Sequence, residues 1–441
     1  MGVPHDWRWA AQLSLLAGPV RVAIVVAFAA GLAGLLALRR TRRWVTRSVP
    51  LAVGVAAVLL AAGWALLQVA RPWPDALPVS VYAWVGGALL AVTLAVLGWR
   101  RQRVLVRAGA VLAVAAVVLG AADGVDAAFG SYPTLATALQ LPPYDQVSSG
   151  DLLAAVPATM ASATTARTPT HGWHAPADLP DHGAVTQVDI PASQSGFPAR
   201  PAWVYVPPAY LTADRPALPL LVLLHGEPGN PRDWLDGGAL AQRLDDWARA
   251  HDGLAPVVVM PDATGGEVAN PLCTDSALGR ADTYLSRDVV DWARAHLTVD
   301  PDTAHWAVGG FSYGGTCAMQ LATAHPDLFP TVLDESGQQE PTLGSHAATV
   351  AAAFGGDEAA FDAVDPVHEL AARRYAGSAA AFVSGDQDPG AQAAERVVSA
   401  AASRAGMAVT VTHLPGGHEW RVWGPGLTQA LPWLAHRMGL G

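Results

Sequence analysis

The chain of 441 residues contains no lysine. A Walker-type phosphate loop needs a Lys followed by Ser or Thr, so that kind of nucleotide chemistry is excluded. Cysteine is nearly absent too, with only Cys273 and Cys317. No Cys/His cluster has the spacing of a structural zinc site, and no metal or cofactor is expected. Charge is scarce: 15% of residues are charged against 51% hydrophobic, too apolar for one ordinary soluble domain. Internal repeats of solenoid or propeller period are also missing.

What is present instead is long apolar runs. Ala/Val/Leu-rich segments occupy about 18 to 38, 50 to 70, 79 to 98 and 104 to 122. Each is close to the roughly 20 residues that cross a hydrocarbon core as a helix. No A-x-A site follows the first run, which argues against a cleaved signal peptide. Arg39, Arg40, Arg42, Arg43 and Arg47 lie between the first two runs, and "RRQR" with Arg107 between the last two. The second-to-third loop carries only Arg71. Positive loops stay inside, so the expectation is a multi-pass cell-membrane protein whose N-terminus and everything after residue 122 lie outside. Trp44, Trp73, Trp84 and Trp99 fall near span ends, as interfacial anchors do.

Charge divides the chain at the same place. Up to Asp123 there are twelve Arg and three acids, and beyond it fifteen Arg and thirty-four acids, a formal −19 masked by the overall −10. An acidic domain does not suit nucleic acid or anionic headgroups as electrostatic partners. Arg in place of Lys, with heavy use of Ala, fits the coding bias of a GC-rich genome such as an actinobacterial one. The expected organisation is a membrane domain over 1–123, an extracytoplasmic linker over 124–183 rich in Ser, Thr, Pro and Ala, and a folded domain over 184–441.

From residue 184 the pattern is that of alternating strands and helices. "VTQVDIPA", "AWVYVPP", "LPLLVLLHG", "PVVVMPDA", "HWAVGGF", "TVLDESG", "AAAFVSG" and "MAVTVTHLP" read as strands. Amphipathic helices fall between several of them, including one from about Tyr313 to His325 and a last one, "LTQALPWLAHRM". The alternation predicts a doubly wound α/β fold, with a parallel sheet covered on both faces.

Within it, Gly310-Phe311-Ser312-Tyr313-Gly314 matches G-x-S-x-G at a strand-to-helix junction. The glycines allow a turn too tight for side chains, and the helix behind the serine favours negative charge developing there. A serine at its ordinary pKa is a poor nucleophile and needs a base and an orienting acid. Both should follow it, in the order acid then histidine. "SGDQDPG" offers Asp388, preferred because it lies three residues past the strand-ending Gly and just before Pro, with Asp386 as the alternative acid. "GGHEW" offers His418 as base. His325, His346, His368, His413 and His436 have no such strand-end setting. "LLHGEPGN" closes the strand expected beside the nucleophile strand, so an oxyanion hole is expected from the amides of Glu227 and Tyr313.

These motifs, "LLHGEPGNPRDW", "GGFSYGGTCAMQLATAHPDLF", "SGDQD" and "GGHEW", resemble the esterase D branch of the α/β-hydrolases, which includes the antigen 85 mycolyltransferases and enterochelin-type esterases. With the four-span N-terminal region, the whole resembles membrane-bound actinobacterial esterases, some of whose relatives are thought to remove aminoacyl groups from lipids. Tyr313 stands where many relatives have Met, and the acid is Asp rather than the Glu of the mycolyltransferases; both departures weaken mycolyl transfer. The resemblance implies a serine hydrolase acting through an acyl-enzyme on an ester of a lipid or envelope component. Acyl transfer to an envelope lipid or glycan, and a non-catalytic binding or scaffold role, are the alternatives. Cys273 and Cys317 could form a disulfide in an oxidising exterior or remain two buried thiols.

Overall fold

The computed structural model describes residues 13–39, 41–70, 77–100, 102–141, 144–153 and 172–441. Arg40, Arg71, Trp73, Arg101 and most of the Ser/Thr/Pro-rich segment lie outside the described residues. The chain forms two compact units, Met1–Leu141 and Pro142–Gly441.

Among its described residues the first unit holds four helices long and apolar enough to cross a membrane: α1 (Gly18–Leu36), α2 (Val49–Ala70, entered through a π-helical turn at Trp44–Ser48), α3 (Val79–Gly98) and α4 (Val104–Phe129). They are apolar all round, and no capping side chain starts α1, α3 or α4. The fourth helix runs past the expected end at 122. Its acids do not stop it because Asp123 forms an ion pair with Arg21, and Asp126 Oδ1 accepts from the Tyr132 amide at 2.9 Å. Gly130, at φ 71°, closes it in the left-handed conformation that glycine adopts freely.

The second unit is an eight-stranded sheet. Its strands are β1 (Ala184–Val188), β2 (Ala202–Val206), β3 (Leu220–Leu224), β4 (Val257–Met260), β7 (Ala307–Phe311), β8 (Thr331–Glu335), β9 (Ala379–Gly385) and β10 (Ala408–Leu414). The spatial order is β1-β2-β4-β3-β7-β8-β9-β10; β5 (Asp275–Ser276) and β6 (Gly279–Arg280) form a separate hairpin. All eight expected strands are present. The sheet is mixed rather than wholly parallel, since β1–β2 and β2–β4 pair antiparallel while β4, β3, β7, β8, β9 and β10 run parallel. The link from β1 to β2 contains no helix, and a parallel pair would need a helical crossover there.

Helices cover both faces: α5 (Leu240–Arg249), α6 (Val289–His296), α7 (Tyr313–Ala324), α8 (His346–Phe354), α9 (Glu358–Asp362), α10 (Pro366–Ala372), α11 (Pro389–Ala405) and α12 (Trp420–Arg437). The alternation of strand side chains divides the core. In β3, Leu220, Val222 and Leu224 enter one hydrophobic cluster, and Leu221 and Leu223 the other. The last helix starts seven residues before the expected "LTQALPWLAHRM" in spite of Pro425 and Pro432. Its first turn is held by packing: Trp420 and Trp423 lie 4.4 and 4.5 Å from the ring of Phe311.

Candidate active site

The C-terminal ends of the parallel strands converge at Ser312, in the position where α/β sheets place their sites. Ser312 follows β7 directly and precedes α7, with φ 55° and ψ −123°. A non-glycine residue rarely takes this conformation, and it persists here because its surroundings fix it. The Ser312 amide donates to Glu335 O on β8 at 2.8 Å, and its carbonyl accepts from the Gly315 amide at 2.9 Å. Space is equally tight: a Cβ on Gly310 would stand 2.3 Å from Gly314 O, and one on Gly314 2.3 Å from Leu224 O. The strand-turn-helix signature thus has a steric cause at each glycine.

Two loops bring the partners. After β9, Asp386 donates its amide to Leu414 O and Gln387 to Gly416 O, each at 2.8 Å, which stitches this loop to the one after β10. Asp388 caps α11, with Oδ1 accepting from the Ala391 amide at 3.0 Å. Its Oδ2 lies 2.7 Å from His418 Nδ1, and His418 Nε2 lies 2.8 Å from Ser312 Oγ. Asp386 is placed otherwise: its Oδ1 accepts from the Gly416 amide at 3.1 Å. Burial opposes charge on Asp388, but the hydrogen bond and charge of His418, helped by the Ala391 and Gly390 amides, hold its carboxyl below the usual range. Trp423 meets the His418 ring edge-on at 5.0 Å. An acid, an imidazole and a hydroxyl in this line can pass the serine proton to the ring while the acid keeps the ring oriented.

The amide of Tyr313, first residue of α7, has no carbonyl partner one turn back within the helix. Its side chain is turned away from the serine, with the hydroxyl accepting from the Cys273 amide at 3.0 Å and donating to Ala263 O at 3.2 Å. The loop after β3 reaches the same place, since Gly314 could not carry a Cβ without meeting Leu224 O and His225 O. In that loop Glu227 is buried, and its Oε2 accepts from Asn270 Nδ2 at 2.6 Å. Cys273 and Cys317 form a disulfide, with Cα atoms 5.4 Å apart, between the loop after β4 and α7.

Three features went unread in the sequence. Half-buried Arg200 and buried Asp262 form a polar network under the loop after β3. "TVLDESG" hides two adjacent acids beside the elbow. Asp334 is pushed up to about 7, chiefly by burial, and Glu335 is driven well above the carboxylate range by burial. In a strand that reads as buried, acids give no pattern that distinguishes them from a strand end.

The fold and the site define an α/β-hydrolase-like protein with a serine at the strand-to-helix elbow. The Putative esterase family matches residues 199–434, a little over half of the chain. The chain belongs to that family, and the match supports a hydrolase. An uncharacterised protein of Corynebacterium glutamicum is 35% identical over 447 residues, covering 99% of each chain. Among solved structures, a ferulic acid esterase is 20% identical with a TM-score of 0.49, covering 58% of this chain and 98% of that one. MPT51 of Mycobacterium tuberculosis is also 20% identical, with a TM-score of 0.42, covering 57% and 98%.

Proposed function

We propose that this protein is a membrane-anchored serine esterase that hydrolyses an ester of a lipid or cell-envelope component through an acyl-enzyme. The observation that carries the reading is the unbroken line from Asp388 through His418 to Ser312, at 2.7 and 2.8 Å. In this mechanism His418 takes the proton of Ser312 Oγ as it attacks the ester carbonyl. The amides of Tyr313 and Glu227 hold the oxyanion, and His418 then protonates the departing alcohol. Water, deprotonated by the same imidazole, releases the acid and restores the serine.

In this reading the four helices ending at Phe129, past the expected boundary at 123, anchor the protein as a four-span membrane domain. The residues from there to 183 are an extracytoplasmic linker and 184–441 the extracytoplasmic catalytic domain. The arginine pattern supports that sidedness, and so does the disulfide, which belongs in an oxidising compartment. Glu227 supports an aminoacyl ester as the substrate class. A carboxylate in the loop that supplies an oxyanion amide, on a domain of strongly negative charge, suits a cationic group such as the free amine of an aminoacyl-lipid ester. Replacing Glu227 with Gln should raise KM for an aminoacyl ester more than for an acetyl ester; equal KM values would remove this assignment.

The deciding test is Ser312→Ala in the full-length protein. Hydrolysis of p-nitrophenyl acetate should fall to background and fluorophosphonate labelling should vanish. In cells, an ester-bearing envelope lipid should accumulate. Wild-type rates in the variant would end the proposal.

A further inference from the structure

The loop that carries the Glu227 amide is gripped at both ends by groups that share one carboxylate. Asp262, at the end of β4, is fully buried. Its Oδ2 accepts from the backbone amide of Arg200 at 2.8 Å and from Arg200 Nε at 2.9 Å. Its Oδ1 accepts from Arg200 Nη2 at 2.8 Å and from the Thr264 amide at 3.1 Å, and faces His225 Nε2 at 3.1 Å. Burial opposes charge on Asp262, yet the hydrogen bonds of Arg200 and His225 hold its carboxyl far below the usual range.

Both partners then reach the loop. His225 Nδ1 donates to Gly226 O at 2.7 Å, and Arg200 Nη2 donates to Gly229 O at 3.0 Å. The first contact sets a direction. The Gly226–Glu227 peptide is trans, so the Gly226 carbonyl and the Glu227 N–H lie in one plane and point opposite ways. Fixing the carbonyl on His225 therefore aims the Glu227 N–H to the other side.

We propose that Asp262, clamped by Arg200 and acting through His225, positions the Glu227 amide for the oxyanion, so that Arg200, Asp262 and His225 are positioning residues of the esterase reaction. The inference rests on the esterase reading above. It gives the polar network a role that packing does not require, since apolar side chains of similar volume would fill the space without the cost of burying two ionisable groups, Asp262 and His225. It also predicts where the loss falls. A misaimed amide weakens the transition state and leaves the ground-state ester bound as before.

The test uses the full-length protein in detergent, p-nitrophenyl acetate, and active sites titrated with a fluorophosphonate. Asp262→Asn should lower kcat per titrated site by about 30- to 100-fold, with KM within about threefold, the signature of a misplaced oxyanion donor. Arg200→Met should lower it by about tenfold, and Arg200→Lys should recover part of that loss, because a single ammonium replaces some of the fork. The affinity of a phenylboronic acid, which forms a tetrahedral adduct on the serine, should weaken by the same factor as kcat/KM. A merely structural role would reduce the number of titratable sites and leave kcat per site unchanged. Wild-type kcat per site in Arg200→Met, a partly exposed position that decides alone should Asp262→Asn not fold, overturns the inference. Ser312→Ala assayed alongside separates the two levels. Activity surviving in that variant sinks the esterase reading itself, whereas its loss together with an unaffected Arg200→Met sinks only the positioning role.

Discussion

His418 Nε2 stands 2.8 Å from Ser312 Oγ while its Nδ1 stands 2.7 Å from Asp388 and not against Asp386, although the two acids are separated by a single residue. The choice is made by α11. Asp388 is its N-cap, and the cap fixes the carboxylate where the β10 loop delivers His418. Asp388→Asn should therefore lower kcat on p-nitrophenyl acetate by about 10³- to 10⁴-fold, because the amide favours the wrong imidazole tautomer. Asp386→Asn removes only part of one loop contact and should stay within about fivefold of wild type, as an indirect loop effect. Comparable losses in the two variants would show that the acid is not assigned by the observed contact.

The elbow glycines make a steric prediction. Gly314→Ala would put a methyl 2.3 Å from Leu224 O and 2.7 Å from His225 O, and Gly310→Ala would put one 2.3 Å from Gly314 O. These are backbone atoms at the end of β3, in the loop after it and in the first turn of α7, and they cannot swing aside, so each change should cost about 1–3 kcal/mol or more. It should also shift Ser312 enough to lose most activity. Gly377→Ala, where a Cβ meets nothing within 4 Å, is the control and should melt as wild type does. Thermal melting with fluorophosphonate labelling reads both effects, and full labelling of Gly314→Ala would contradict the geometry.

The legible part of this protein was the part written locally. Each strand of the sheet shows as an apolar run, and Ser312, Asp388 and His418 each sit in a short motif at a strand end, so their order along the chain foretold their meeting. The antiparallel pairing of β1 and β2 went unread, although the Pro- and Ser-rich link between them carries no helical pattern for a parallel crossover. Arg200 and Asp262 were illegible for a different reason. They lie 62 residues apart, and nothing beside either names its partner. The start of α12 was hidden by Pro425, a residue that ordinarily ends a helix, and tertiary packing of Trp420 and Trp423 on Phe311 overrides it.

The disulfide joins segments 44 residues apart in sequence and ties the loop after β4 to the helix that begins at the nucleophile. Chain-entropy arguments give a cross-link of this span about 4 kcal/mol at most, with 2–4 kcal/mol typical. The paired Cys273→Ala/Cys317→Ala variant should melt well below wild type. Its activity should fall less steeply below the melting point, because the Tyr313 hydroxyl still accepts from the residue 273 amide and Gln320 Nε2 still donates to Leu272 O at 2.9 Å. Reducing agent should lower the wild-type melting temperature and leave the double variant unchanged. A response of equal size in both would mean that the bond is not the source of the stability.

Asp334 supplies a pH dependence with a definite sign. Burial is the main cause that carries its carboxyl from the ordinary 3.8 up to about 7; the Gly337 amide opposes this, and Glu395 adds to it. Its folded value lies above its unfolded one, so the native state holds the proton that the unfolded chain gives up near pH 4. The contribution is fully present below about pH 4 and is lost as pH rises through about 7. Asn keeps the acceptor for the Gly337 amide, which now bonds Asp334 Oδ1 at 2.8 Å, and removes the ionisation. Between pH 5 and pH 8 the wild type should therefore lose stability relative to Asp334→Asn by on the order of 2–3 kcal/mol. Because the Ser312 amide hangs on the carbonyl of the next residue in β8, the same rise in pH should loosen the elbow in wild type first. Melting curves of the two proteins across this range decide it: a constant gap would show that Asp334 is already ionised in the folded protein at pH 5.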